Sequence, residues 1–314
     1  MVTYVLRRLF GVIPVLILVA LISFLLIHIV PGDPALIMLG NDASPARLEA
    51  LRGQLGLDRS LPAQFAIWLG QVLHGNLGES FFLGRPVAQA LLERLPATLQ
   101  LAVLSFVFSL IIGIPAGLLA AVRQNTWRDQ LIMTAAVGGV SIPNFWLGLA
   151  MILLFSVQLG WFPSGGYVPL WEDFWQGLRI LILPSISLGL MQAALIARMA
   201  RSSMLEVLRQ DYVRTARAKG QRPSLVILKH ALKNAMIPIV TTVGTAFGVL
   251  LGGAVVVEIV FTYPGLGRLV VLAVQRRDYP LVQGALLLTA VIYVLVNLAV
   301  DLLYGVFDPR IRYE

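Results

Sequence analysis

The chain has 314 residues, 58% hydrophobic and 13% charged, with no cysteine and a formal net charge of +8, a mean hydropathy of +0.84 and an isoelectric point near 10.2. Apolar content this high lies outside the range of soluble globular domains and makes lipid the main solvent. Without cysteine, disulfides, thiol catalysis and cysteine-based metal sites are excluded.

Six windows are apolar for long enough to cross a hydrocarbon core of about 30 Å as helices: Leu9–Val30, Thr98–Val122, Leu131–Gln158, Ile180–Arg198, Ile237–Phe261 and Leu281–Tyr304. Backbone groups in lipid must be satisfied internally, and alternating strands are lacking, so the spans are helical. The expected fold class is all-α integral membrane with six transmembrane helices. The start, Met-Val-Thr-Tyr-Val-Leu-Arg-Arg, runs into an apolar stretch too long for a secretory signal. The only small-residue cleavage pattern is spoiled by Pro45, which predicts an uncleaved signal anchor.

After the first window, Val30-Pro-Gly-Asp-Pro34 must stop a helix. Ser44-Pro45 then opens a short helix ending near Gly56, and a second begins after Pro62. Phe65, Trp68, Leu69, Val72 and Leu73 fall on one face of that second helix. The face either binds a partner, rests on lipid headgroups or packs against the bundle. Farther on, the uncharged stretch Gln130–Trp171 exceeds one span, and the turn-rich Leu159–Pro169 marks its exit. The expected organisation is a front segment 1–94, a core 95–304 and a tail 305–314.

Basic residues set topology. With the N-terminus inside, the inner segments hold Arg7 and Arg8, Arg123 and Arg128, nine Lys/Arg between Arg198 and Lys233, and Arg310 and Arg312. The outer segments hold nine, five of them in a long loop that also carries six acids. Both termini are therefore expected inside. This asymmetry accounts for the positive charge, so nucleic acid need not be invoked.

Between the fourth and fifth windows, Ala200–Ala235 is patterned for two short helices. The first, about Leu205–Lys219, places Leu205, Leu208, Tyr212 and Thr215/Ala216 on one face among Arg209, Arg214, Arg217 and Lys219. Gly220 can take a positive φ and end it. Ser224 can cap a second helix whose Leu225, Leu228 and Leu232 turn toward the membrane. On charge alone this loop is also a basic juxtamembrane helix for anionic lipid.

The spelling Asp-Tyr-Val-Arg-Thr-Ala-Arg-Ala-Lys-Gly220, followed by His230-Ala-Leu-Lys-Asn-Ala235, resembles the inner-loop motif of ABC importer permeases. Ala216, Gly220 and Leu232 match the general motif, while Arg214, Thr215, His230 and Lys233 depart from it in the manner of the peptide/nickel subfamily. Val30-Pro-Gly-Asp-Pro34, Gly75-Asn-Leu-Gly-Glu-Ser80, Arg94-Leu-Pro-Ala-Thr98 and Ser141-Ile-Pro-Asn-Phe145 are similar to the same subfamily, as are Glu258–Gly267 and Asp308–Tyr313. The long loop after the first window resembles the B-type member of the permease pair.

This resemblance implies a type I importer permease fold in a bacterial inner membrane. It also implies a second permease, two ATPase subunits that bind ATP and Mg²⁺, and an extracytoplasmic solute-binding protein. Tyr212, Arg214, Thr215, Ala216, Arg217, Ala218, Lys219 and Gly220 would then form the ATPase-coupling surface. Tyr212 and the small Thr215, Ala216 and Ala218 would enter a cleft of the partner, and the basic groups would set register. No cofactor is expected in this chain, which has no phosphate-binding loop. Dipeptides, longer peptides, glutathione and nickel chelates all remain open as cargo, with the dipeptide and glutathione branches nearest.

Candidate pathway residues are Ser141, Asn144, Gln192 and Glu258; for the first three the alternative role is interhelical hydrogen bonding or satisfying carbonyls freed by the prolines. Glu258 either gates the outer end or pairs with an arginine such as Arg268 or Arg276. Ionisable groups sit near span ends (His28, Arg179, Arg198, Glu258 and Asp301), whereas an ion-coupled carrier needs one near the midplane. His28, His74 and His230 are scattered, which predicts no metal cluster or triad; His28 alone is open as a nickel ligand, with an interfacial hydrogen bond the expected role.

Overall fold

A computed structural model of the chain describes residues 2–29, 35–36, 44–55 and 57–307. The helix stop at 30–34 and the closing motif at 308–313 lie outside them. In chain order the elements are α1 (Val2–Ile29), α2 (Pro45–Leu55), α3 (Leu61–Leu73), β1 (Glu79–Ser80), β2 (Arg85–Pro86), α4 (Val87–Val122), α5 (Trp127–Ser141) and α6 (Asn144–Met151). A π-helical turn, Ile152–Gln158, prolongs α6. There follow α7 (Phe174–Leu208), α8 (Asp211–Ala218), a second π segment (Val226–Ala231), α9 (Leu232–Val260), α10 (Leu266–Gln275) and α11 (Tyr279–Phe307).

Among the described residues five helices, α1, α4, α7, α9 and α11, are long and apolar enough to span a membrane. The third expected span is not one straight helix: α5 and the α6–π segment meet at a bend of 103°. Pro143 is the cause, since its ring pushes the preceding residue out of the helical region. Ile142 accordingly sits at φ −84°, ψ 122°. The helices also outrun their apolar windows. α4 begins eleven residues before Thr98, and α7 extends six residues before Ile180 and ten beyond Arg198.

Contacts divide the chain into two compact units, 1–96 with 265–295 and 97–264 with 296–314. In the first unit, α4's opening turns pack Val87 and Leu91 against Leu269, Leu281 and Ala285. β1 and β2 form a hairpin with Ser80 opposite Arg85. Asp278, 2% exposed, ties that hairpin to α11 by accepting from Ser80 Oγ at 2.6 Å, Phe82 N at 3.1 Å and Leu281 N at 3.2 Å. The amphipathic face of α3 packs on α1, with Phe24 ringed by Phe65 and Trp68 at 5.4 and 5.8 Å. Leu73 departs from the expected stripe and is 77% exposed.

In the second unit α7 is the central helix, with α4, α5, α6 and α9 against it. Small residues allow the closest approach: a Cβ added at Gly117 of α4 would lie 2.4 Å from the Ala197 carbonyl oxygen of α7. Leu188, Met151, Leu250, Val257 and Phe261 fill the core beside it.

Candidate functional site

α8 is an eight-residue helix set off from α7 by a break at Arg209–Gln210, so the expected single lever Leu205–Lys219 is two pieces. Its basic, polar side is exposed: Tyr212, Arg214, Thr215, Arg217, Ala218, Lys219 and Gly220 all face outward. Val213 and Ala216, one turn apart, face inward onto Val226, with Val207 and Leu208 alongside. Ala216, expected among the coupling residues, is 7% exposed and belongs to the base on which α8 rests.

The helix ends in a Schellman motif. Gly220 takes φ +72°, its N–H donates to Arg217 O at 3.0 Å, and Gln221 N–H donates to Ala216 O at 3.4 Å. Positive φ is a conformation that glycine adopts without the steric penalty of a Cβ. Asn234 of α9 reaches across and donates from Nδ2 to the Tyr212 hydroxyl at 3.0 Å, while its other bond goes to His230 O. Arg214 lies 3.7 Å from Asp211 with both side chains largely exposed, an ion pair that adds little rigidity.

The second arm of the elbow differs from expectation. Ser224 makes no cap; the arm starts after Arg222 and passes into the π segment. The wider π turn shifts the helical register, so Val226 and Ala231 are buried while Leu225 and Leu228 are 44% and 57% exposed. Leu232 does pack inward, beside Ala231 and Ala235.

The four expected pathway residues separate. Ser141 and Asn144 border an open cavity of ≈ 370 Å³ at the 103° bend, with Met191, Gly253 and Val256 opposite. The Ser141 hydroxyl donates back to Val137 O at 2.9 Å, and Asn144 O accepts from Ser187 Oγ at 2.9 Å. Gln192 and Glu258, by contrast, are 3% and 0% exposed. They stand inside packed helices and not on that cavity, Glu258 accepting from Thr98 Oγ1 of α4 at 2.6 Å. Past the end of α9, Tyr263 lies edge-on to Tyr167 at 5.4 Å. Burial pushes both phenols above their ordinary range, so they stay neutral.

His28 makes the expected hydrogen bonds, to Gln64 Oε1 at 3.0 Å and Phe24 O at 3.1 Å. Among the described residues no group of three or more His, Asp or Glu side chains could hold a metal ion.

Two family models cover most of the chain: the N-terminal part of the binding-protein-dependent transport system membrane component matches residues 1–102, and the binding-protein-dependent transport system inner membrane component matches residues 113–313. The chain belongs to this family. It is a permease subunit of an inner-membrane transport system, multi-pass and built on helices.

Among its permease relatives, the glutathione transport system permease protein GsiC of Escherichia coli (strain K12) is 48% identical over 314 residues, all of both chains. GsiC of Pectobacterium atrosepticum is 47% identical over the same full length. A protein of Brucella abortus (strain 2308), provisionally named a peptide transport system permease, is 46% identical, again over all of both chains. The fold is similar to a chain of the MetNI methionine ABC transporter in an inward-facing conformation, with a TM-score of 0.59 at 22% identity over 70% of this chain and 97% of that one.

For a permease of this family the sequence reading missed one pair. Asp129 at the start of α5 and Arg201 of α7 form a two-pronged ion pair, with Arg201 Nε 2.6 Å from Oδ1 and Nη2 2.7 Å from Oδ2. The partners are 72 residues apart, so no local pattern announces them. The only signal was a lone acid among the basic residues of its segment.

Proposed function

We propose that this permease is the B-type half of an ATP-driven importer for short peptides, of the dipeptide or glutathione kind. It works with a second homologous permease, two ATP-binding subunits that hold ATP and Mg²⁺, and an extracytoplasmic solute-binding protein. Both termini and α8 lie on the cytoplasmic side of the membrane. The observation that carries the cargo class is the 46–48% identity, end to end, with permeases named for peptide and glutathione transport.

The coupling role of α8 is supported by its construction. A short helix with a basic outer face and an apolar base moves as one body with the α7 and α9 ends it rests on. Exposed Tyr212, Arg214, Thr215, Arg217, Ala218 and Lys219 form the surface an ATPase cleft grips, and Gly220 fixes the angle. Ser141 and Asn144 give the cavity at the bend hydrogen-bonding groups for a solute's amides.

The test is uptake and crosslinking in a strain carrying this permease with the genes beside it. Tritiated dialanine or glutathione is expected to accumulate only when the ATPase genes are intact, and Ala218→Cys is expected to crosslink to an ATPase subunit. Accumulation of nickel alone, or uptake that tracks an ion gradient without the ATPases, would overturn the reading.

A further inference from the structure

Asp129 has a side chain 4% exposed, against 26% for Arg201. A carboxylate so far from water is stable only when paired and fully hydrogen-bonded. Arg201 supplies two parallel bonds, and the backbone N–H of Asn125 supplies a third, to Oδ2 at 3.0 Å. Asn125 itself sits at φ +63°. The carboxylate thus holds together three things: the end of α7, the start of α5, and the tight turn that joins α4 to α5.

A guanidinium fork fixes direction as well as distance. The contact at Gly139, farther along α5, is of another kind: a Cβ there would meet Ala194 Cβ and Leu190 Cγ at 3.4 and 3.6 Å and Leu190 O at 3.8 Å, ordinary van der Waals packing without a fork.

The pair's position gives the fork mechanical meaning. Arg201 is seven residues, about 10 Å of helix, before the end of α7 at Leu208, and Leu208 is part of the base beneath α8. Asp129 lies at one end of α5, a rod of 15 residues whose other end is the Ser141 side of the bend and its cavity. A displacement of α8 reaches α7 through the shared apolar base. Met191 of α7 itself borders the far side of that cavity, and the displacement reaches the Ser141 side only if α5 follows α7.

We propose that Asp129 and Arg201 are a positioning pair that makes α5 follow the α8 end of α7, so that movement of α8 is delivered to the bend at Ile142–Pro143 and the cavity it borders. This inference rests on the reading of α8 as the ATPase docking element. The pair touches no cargo; it acts through α5.

The chain has no cysteine, so paired spin labels can be placed without background at Val137 of α5 and Val249 of α9, 56% and 50% exposed. The importer, assembled with its partners in lipid nanodiscs, is measured nucleotide-free and trapped with ATP and vanadate. The label distance is expected to shift on trapping in the otherwise unsubstituted chain, and to stay fixed in Asp129→Asn and in Arg201→Lys. The second variant keeps the charge and loses the fork, so a purely electrostatic role would leave its shift intact. Uptake of tritiated dialanine or glutathione per ATP hydrolysed should fall about five-fold or more in both variants, while ATP hydrolysis persists.

A trapping shift retained in both variants overturns the proposal. So does loss of the assembled complex in both, which would make the pair a folding element only. Failure of the docking reading is distinguishable, because Ala218→Cys would then give no ATPase adduct even with Asp129 and Arg201 in place.

Discussion

Asp278 immediately precedes α11 and caps it, with both carboxylate oxygens engaged, one by the Leu281 amide and one shared by Ser80 Oγ and the Phe82 amide. Asp278→Ala removes the cap and strands a hydroxyl and an amide of the hairpin that the carboxylate had satisfied. A loss of about 2–4 kcal/mol is expected from the orphaned donors and the missing cap. In the purified protein it should appear as a clearly lowered thermal midpoint, and a midpoint unchanged from the parent would refute this account of the hairpin. At this scale the sequence was partly legible. Gly220 shows the positive φ that its place after a basic helix implied. Ala216 does not show the exposure expected of it, because the informative neighbour was Val213. Two apolar residues at i and i+3 in a helix of eight define its inward side, and the motif resemblance drew attention to the spelling of the segment and away from that period.

Among the elements, α4 and α7 are held at a separation that only small residues permit. A Cβ at Gly117 would sit 2.4 Å from Ala197 O and 2.6 Å from Ala200 Cβ, whereas one at Gly138 of α5 would meet nothing within 4 Å. Gly117→Val should therefore force the helices apart, at about 1–3 kcal/mol or more from overpacking. Gly138→Ala should be neutral or slightly stabilising through helix propensity. Thermal unfolding of the two variants in one detergent reads the contrast, and equal midpoints would mean that the α4–α7 contact is looser than the glycine geometry requires. Hydropathy located all six apolar windows because lipid imposes a minimum length on each. It could not locate the break in the third. Proline inside a membrane helix can kink it or end it, and the bend that Pro143 starts is accompanied by packing against residues far along the chain. Gly148 of α6 is seated against Phe261, Val260 and Ser187, with a notional Cβ at 3.0, 3.1 and 3.2 Å from them. The same remoteness hid Asp129–Arg201, and hid the exposure of Leu225 and Leu228 that follows from a π turn no propensity signals.

For the whole molecule, the topology argument and the bend bear on one another. Basic residues cluster between Arg198 and Lys233, from which the positive-inside bias leads us to expect α8 inside, and the α3 region lies in the loop expected outside. Three hydrophobic segments separate Leu73 from Ala218: α4, the bent α5–α6 pair and α7. If the pair crosses as one broken span, the count of crossings is odd and the two residues face opposite sides. If it turned back at the 103° bend as a re-entrant loop, the count would be even and they would share a side. Leu73→Cys and Ala218→Cys, both at exposed positions in a chain without native cysteine, can be probed singly with a membrane-impermeant maleimide. In cells with a permeabilised outer envelope and an intact inner membrane, Leu73→Cys should label and Ala218→Cys should label only after the inner membrane is opened. Labelling of both from outside would make the α5–α6 pair re-entrant and leave five crossings. It would also carry α8 away from any cytoplasmic ATPase, so a single pair of cysteines tests the expected orientation and the coupling role together.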